Sequence, residues 1–356
     1  MIVVLSGEGR SDLGACRNAQ GHCSGDTFAP GPMTVLVDQE IASHLHYSPL
    51  ECAPATYLYV SETWLSERAR ERKQHSRKIS LTGQKRGQET GYYHINAWML
   101  GEAAKDFEQQ HKDIAIAVLF RDSDGSHTAG ASEWSAKWQS MRSGFQRAGL
   151  GARGVPMLPK PKSEAWLLCA VANAYQHCQK LEALPGNDGS PHSAKEQLEA
   201  ALGGDASTEA QLNWLADHGF DHQAVAADMP SYQQFKASLA AAIDAFSSAL
   251  RDRVRASYPL PDTETIDYEI VTDKPWSGFN YYRGNYASTV AVNADLKQQM
   301  ANLPRLVAHE SYPGHHTEHC RKELRLVNGL GQTEQTIFLV NTPQCLMAEG
   351  LADHAL

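Results

Sequence analysis

No stretch of the 356 residues approaches the roughly 18 consecutive apolar side chains that a membrane span needs. The opening run MIVVL is too short for the apolar core of a signal peptide, so neither a membrane partner nor an exported chain is expected. Positive charge is not in excess either. A formal net charge of -9 argues against nucleic acid held by overall charge and leaves that role to local basic stretches. Cysteine pairs are missing: Cys16, Cys23, Cys52, Cys169, Cys178, Cys320 and Cys345 are scattered, odd in number and never spaced CxxC. Neither a disulfide framework nor a cysteine zinc site is therefore expected, and a reducing cytoplasm fits. Internal repeats are absent too, and a chain of this length suits two domains better than one.

What is present begins with IVVLSGEGRSD, a β-branched apolar run that ends in glycine, acid, glycine. Such a run reads as a buried parallel strand delivering a side chain to the carboxyl edge of a sheet. IAIAVLFRDSDG, from Ile114, ends in the same way, and GVPML, from Gly154, is a third short strand leading into PKPKSEAWLLCAVANAYQ. Ser163 is expected to cap that helix, with Glu164 in its first turn. WLSERARERKQHSRK and HINAWMLGEAAKDFEQQH between the first two strands read as helices, so the fold class is α/β with a mainly parallel sheet flanked by helices.

Ligands in such sheets bind at the carboxyl ends of strands, where Glu8, Asp122 and Asp124 fall and Glu164 comes close. Several acids on one rim repel one another unless a cation or proton is present, and oxygen-only ligation favours Mg2+ or Mn2+. An EF-hand is excluded, because His127 stands where that loop needs glycine and a strand precedes it. Arg68, Arg70, Arg72, Lys73, Arg77, Lys78, Lys85 and Arg86 crowd between the acid motifs and could hold phosphates; the competing reading is a solvated helix face.

A Glu in a G-E-G turn after the first strand and a D-x-D-G after a later one resemble the toprim fold of topoisomerases, primases and related nucleases. KPKSEAWLL is similar to a bacterial toprim-related group, domain of unknown function number 4276, and the likeness spans residues 1–243. It implies Glu8 as the acid/base or metal carboxylate, Asp122 and Asp124 as metal ligands, and Glu164 as a further acid of the subgroup. Nucleic acid would be the partner.

Near the other end stands HESYPGHH, residues 309–316. In the helical zinc motif H-E-x-x-H, two histidines four residues apart share one face. Here the next histidines come six and seven residues after His309, and a straight helix would carry the latter about 10 Å along its axis. Pro313 and Gly314 are the pair most able to end or bend a helix. The motif makes chemical sense only with a break in its middle.

PWSGFNYYRGNY, HESYPGHHTEH and AEGLADHA occur in that order and resemble a zincin-like bacterial family, domain of unknown function number 885, over residues 244–356. The resemblance implies a mostly helical metallopeptidase segment that binds Zn2+ and peptide. His309 with His315 or His316 would be ligands, Glu310 the general base, Glu349 the third ligand, and Asp353 would orient a ligand. Tyr281, Tyr282 and Arg283 would position a substrate carbonyl or carboxylate. Family members carry a long helical region before this segment and more chain after it, so the cleft is expected to be incomplete.

Three readings follow. The first is a toprim-like, Mg2+-dependent phosphoryl-transfer protein of nuclease type joined to a partial metallopeptidase module. The second is a zinc-dependent peptidase working through HESYPGHH and Glu349, and the third an inactive fusion.

Overall fold

A computed structural model describes residues 1–9, 11–45, 47–75, 90–123, 131–295 and 303–354. The chain divides into two compact units, Met1–Phe246 and Ser247–Leu356, and the division falls within one unbroken helix, Pro230–Ser257.

The first unit is built on a five-stranded sheet. Its strands are β1 (Ile2–Ser6), β3 (His22–Ser24), β5 (Tyr57–Val60), β6 (Ala115–Phe120) and β7 (Gly154–Met157), in the spatial order β3-β5-β1-β6-β7. Four run parallel and β3 is an antiparallel edge. A separate ribbon pairs β2 (Gly14–Cys16) with β4 (Phe28–Pro30). Every residue of β1, β5 and β6 is buried, which is why these runs are continuously apolar and do not alternate. On one face, helices Thr90–His111 and Ala131–Arg147 place Ala97, Trp98, Leu100, Trp138, Met141 and Phe145 against Val4, Ala117 and Leu119. A second aromatic cluster forms where Trp166, on helix Ser163–Val171, meets Tyr232 edge-on at 4.8 Å and stacks on Phe235 at 5.6 Å.

Several expectations change here. The Tyr57–Val60 strand lies in a short aromatic run that sequence reading passed over. Disulfides join Cys16 to Cys23 and Cys169 to Cys178, where no disulfide framework was expected. The reason is local: Cys16 ends β2 and Cys23 lies in β3, while Cys169 and Cys178 flank the end of helix Ser163–Val171. Scattered spacing therefore gives no ground for a reducing compartment. Among the described residues, no helix is long and apolar enough to cross a membrane.

The second unit contains three strands where a mostly helical segment is expected. β8 (Thr265–Val271) runs parallel to the central β10 (Ala287–Asn293), and β9 (Gly278–Gly284) pairs antiparallel on its other side. Helices Leu303–Glu310, His315–Lys322 and Pro343–His354 accompany this sheet. The last of them buries Ala348 and Ala352, spaced four apart on one face, and leaves Leu346, Met347 and Leu351 exposed.

Alkylating the denatured, unreduced protein is expected to label three cysteines, Cys52, Cys320 and Cys345, and all seven after reduction. Intact mass spectrometry reads the count, and seven labels without reductant would remove both bridges.

Candidate metal centre

In HESYPGHH the helix Leu303–Glu310 stops at Glu310, and a new helix starts at His315. The chain between them turns tightly: the Gly314 N–H donates to the Ala308 carbonyl at 3.1 Å. A Cβ on residue 314 would come within 1.8 Å of the His309 carbonyl oxygen, so only glycine fits this approach. The Glu310 carbonyl, left over at the helix end, accepts from the Asn280 side chain on β9 at 2.6 Å. Gly278, on the same strand, is closely approached, since a Cβ there would stand 3.0 Å from the Leu306 side chain and 3.3 Å from Glu310 Cγ.

The break brings His315 back beside His309, with ring centroids 4.7 Å apart and planes at 89°. Glu349 meets both: its carboxylate lies 3.2 Å from His309 Nε2 and 3.4 Å from His315 Nε2. Among the described residues, this is the one group of three His, Cys, Asp or Glu whose ligand atoms all lie within 4.8 Å of one another. Two ligands about 2.0–2.1 Å from one tetrahedral zinc would be roughly 3.4 Å apart, so the 3.2 and 3.4 Å spacings from the two histidines to the Glu349 carboxylate fit zinc with nitrogen and oxygen donors. Asp353, one turn beyond Glu349, lies 3.2 Å from His309 Nδ1 and so fixes that ring with Nε2 toward Glu349. Burial raises the Glu310 carboxyl to about 7, with the nearby Glu349 adding to the rise and His309 opposing it.

His316, open as the alternative to His315, is not in this group. It is fully buried, with Nδ1 at 2.8 Å from Ser288 Oγ and Nε2 at 3.0 Å from Glu264 Oε2. Glu264 also accepts from the Tyr312 hydroxyl and, at 3.0 Å, from Arg255. Sequence reading missed Glu264. Burial alone would raise its carboxyl, but hydrogen bonds from His316 and Tyr312, together with the charges of His316 and Arg251, outweigh it and hold it at about 2.

The second unit by itself walls a cavity of about 950 Å³ over the centre. Tyr282 and Arg283 both line it. The Tyr282 hydroxyl is already committed to Glu323 at 2.5 Å and its ring stacks on His319 at 5.0 Å, so it forms wall and offers no free hydroxyl. Burial holds the His319 imidazole down at about 3.

The acids of the first unit also gather. Because β1 and β6 are adjacent and in register, Ser6 opposite Leu119, the turns that follow them are neighbours. The Asp122 N–H donates to the Glu8 carboxylate. Asp122 in turn accepts from the Ser163 N–H at 3.1 Å, so it caps the helix that Ser163 itself is expected to cap. The Ser163 hydroxyl donates to Asp12 at 2.5 Å. Burial, then Asp12, Glu164 and Glu8, drive the Asp122 carboxyl well above the usual carboxylate range; burial foremost raises Glu164 as well. Asp12 was missed because GEGRSD shows only its glycines as punctuation. Asp124, Lys85 and Arg86 lie outside the described residues, as do Arg77 and Lys78. Of the other basic residues, Arg68 pairs with Asp106 and Arg72 with Glu102 at 2.8 Å, each lying over a tryptophan ring, so both serve helix packing.

No protein-family model, curated protein or solved structure matches the chain.

Glu264→Gln is expected to lower stability by roughly 3 kcal/mol at neutral pH, since it uncouples a buried charged network. The folded carboxyl near 2 lies below its ordinary 4.5, so its contribution is complete above about 4.5 and fades as pH falls through about 2. Urea titrations across that range should show the gap between the two proteins closing, and a pH-independent gap would contradict the assignment.

Proposed function

We propose that the second unit is a zinc-dependent hydrolase acting on peptides. The observation that carries this reading is the meeting of His309 Nε2, His315 Nε2 and Glu349 at spacings that suit one tetrahedral ion. Zinc, when bound, supplies a Lewis acid that activates water and polarises a carbonyl. Glu310 is the base: it follows His309 directly, is buried, and belongs to none of the three ligand positions. Asp353 holds the His309 ring, and Asn280 holds the end of the helix that presents both residues. The zincin-like resemblance of PWSGFNYYRGNY, HESYPGHH and AEGLAD supports the same conclusion.

The protein is expected to carry close to one zinc per chain, measured by elemental analysis after dialysis, and to lose it in His309→Ala and in Glu349→Ala. Glu310→Gln should keep the zinc and slow peptide cleavage by about 10²- to 10⁴-fold. Zinc retained in His309→Ala would remove the reading.

The gathering of Glu8, Asp12, Asp122 and Glu164 at the carboxyl edge of the first sheet favours a second reading for the other unit. It is a toprim-like site, holding Mg2+ or Mn2+ with Asp122 and Asp124 and transferring phosphoryl groups of nucleic acid. Cleavage of DNA or RNA with either metal should vanish in Glu8→Gln and Asp122→Asn while zinc content stays the same. Turnover unaffected by both substitutions would end this reading.

A further inference from the structure

Three cationic side chains line the cavity over the candidate zinc centre: Arg283, Arg305 and Lys322. Two of them are matched by acids. Arg305 faces Asp353 at 3.4 Å, and Lys322 faces Glu318 at 2.9 Å. Arg283 differs, because among the described residues no carboxylate comes within ion-pair distance of its guanidinium. The side chain is nevertheless held. Its Nε lies 3.3 Å from Thr289 Oγ1, and its guanidinium carbon sits 5.1 Å from the centre of the Tyr281 ring. An arginine anchored through Nε and a ring keeps both Nη groups for an acceptor from outside, and that parallel fork matches a carboxylate.

The strand sets the distance. β9 begins at Gly278, which abuts Glu310, and Arg283 stands five residues further along. At about 3.3 Å per residue, the two backbone positions are roughly 16 Å apart. An extended peptide covers about 3.3–3.6 Å per residue, so a chain whose cleaved bond lies at the metal would bring its fourth or fifth residue to Arg283. Phe279 and Tyr281, their rings 4.7 Å apart, also line the cavity and give the intervening residues an aromatic surface. One unmatched cation, with Glu323 on the same wall, suits a single negative charge better than a phosphate dianion.

We propose that Arg283 is a specificity residue that binds a carboxylate, from an acidic side chain or a C-terminus, four or five residues from the cleaved bond. The cleaved bond rests on the hydrolase reading; the carboxylate site does not.

The test is fluorescence anisotropy on zinc-loaded Glu310→Gln protein with labelled eight-residue peptides. Members of the set differ only by Glu against Gln at one position, or by a free against an amidated C-terminus, and these two arms separate the sources of the carboxylate. One arm is expected to bind about tenfold tighter in its acid form, the preference falling to near unity when Arg283→Gln is added and staying intermediate with Arg283→Lys. An acid preference that survives Arg283→Gln, equal binding of acid and neutral forms, or no binding by any peptide overturns the proposal. Wild-type turnover separates the two readings. Cleavage without acid preference sinks the carboxylate site and leaves the hydrolase, while acid-dependent binding without cleavage does the reverse.

Discussion

Glu264 is a single carboxylate, almost without solvent exposure, on which three separated pieces of the second unit converge. Arg255 comes from the end of the long helix, Tyr312 from the break in HESYPGHH, and His316 from the first turn of the following helix. A buried acid is tolerated only when donors surround it, and here those donors are what hold the break in shape. His316 is therefore an anchor whose neighbour in sequence, His315, is turned the other way toward Glu349. Two adjacent histidines divide the work of structure and of ligation because successive residues on a helix point about 100° apart.

Much of this was legible in the sequence, and the rest was hidden for identifiable reasons. The strands at Ile2 and Ala115 announced themselves because both faces are covered and the runs are unbroken. The need for a break at Pro313 and Gly314 followed from helix geometry, and the break lies there. The choice between His315 and His316 was not legible, since it depends on Glu264 and Ser288, contributed from 52 and 28 residues away. Disulfides were misread because pairing depends on where two strands and a helix end, which spacing alone does not express. Strands β8 to β10 lie partly exposed, so their pattern is weak until they are paired.

The first unit holds its acids under a different constraint. Glu8 accepts a backbone N–H, Asp122 caps a helix and Asp12 takes a serine hydroxyl. Each carboxylate thus has a structural duty, which explains how several acids coexist on one sheet edge. Burial and the mutual repulsion of these acids together raise the Asp122 carboxyl. Lys162 opposes that rise and is itself tied to Asp188 at 2.8 Å.

The absence of a Cβ at residue 314 has a consequence for how such centres are related to one another. In an unbroken zinc helix, ligand spacing and helix direction are one variable, because the period of the helix fixes both. Here the Gly314 contact with the His309 carbonyl separates them. The second helix can leave at an angle chosen by its own packing while its first residue still returns to the metal side. Two short helices replace one long one, and the end of the first is held against β9 through Asn280 and Gly278.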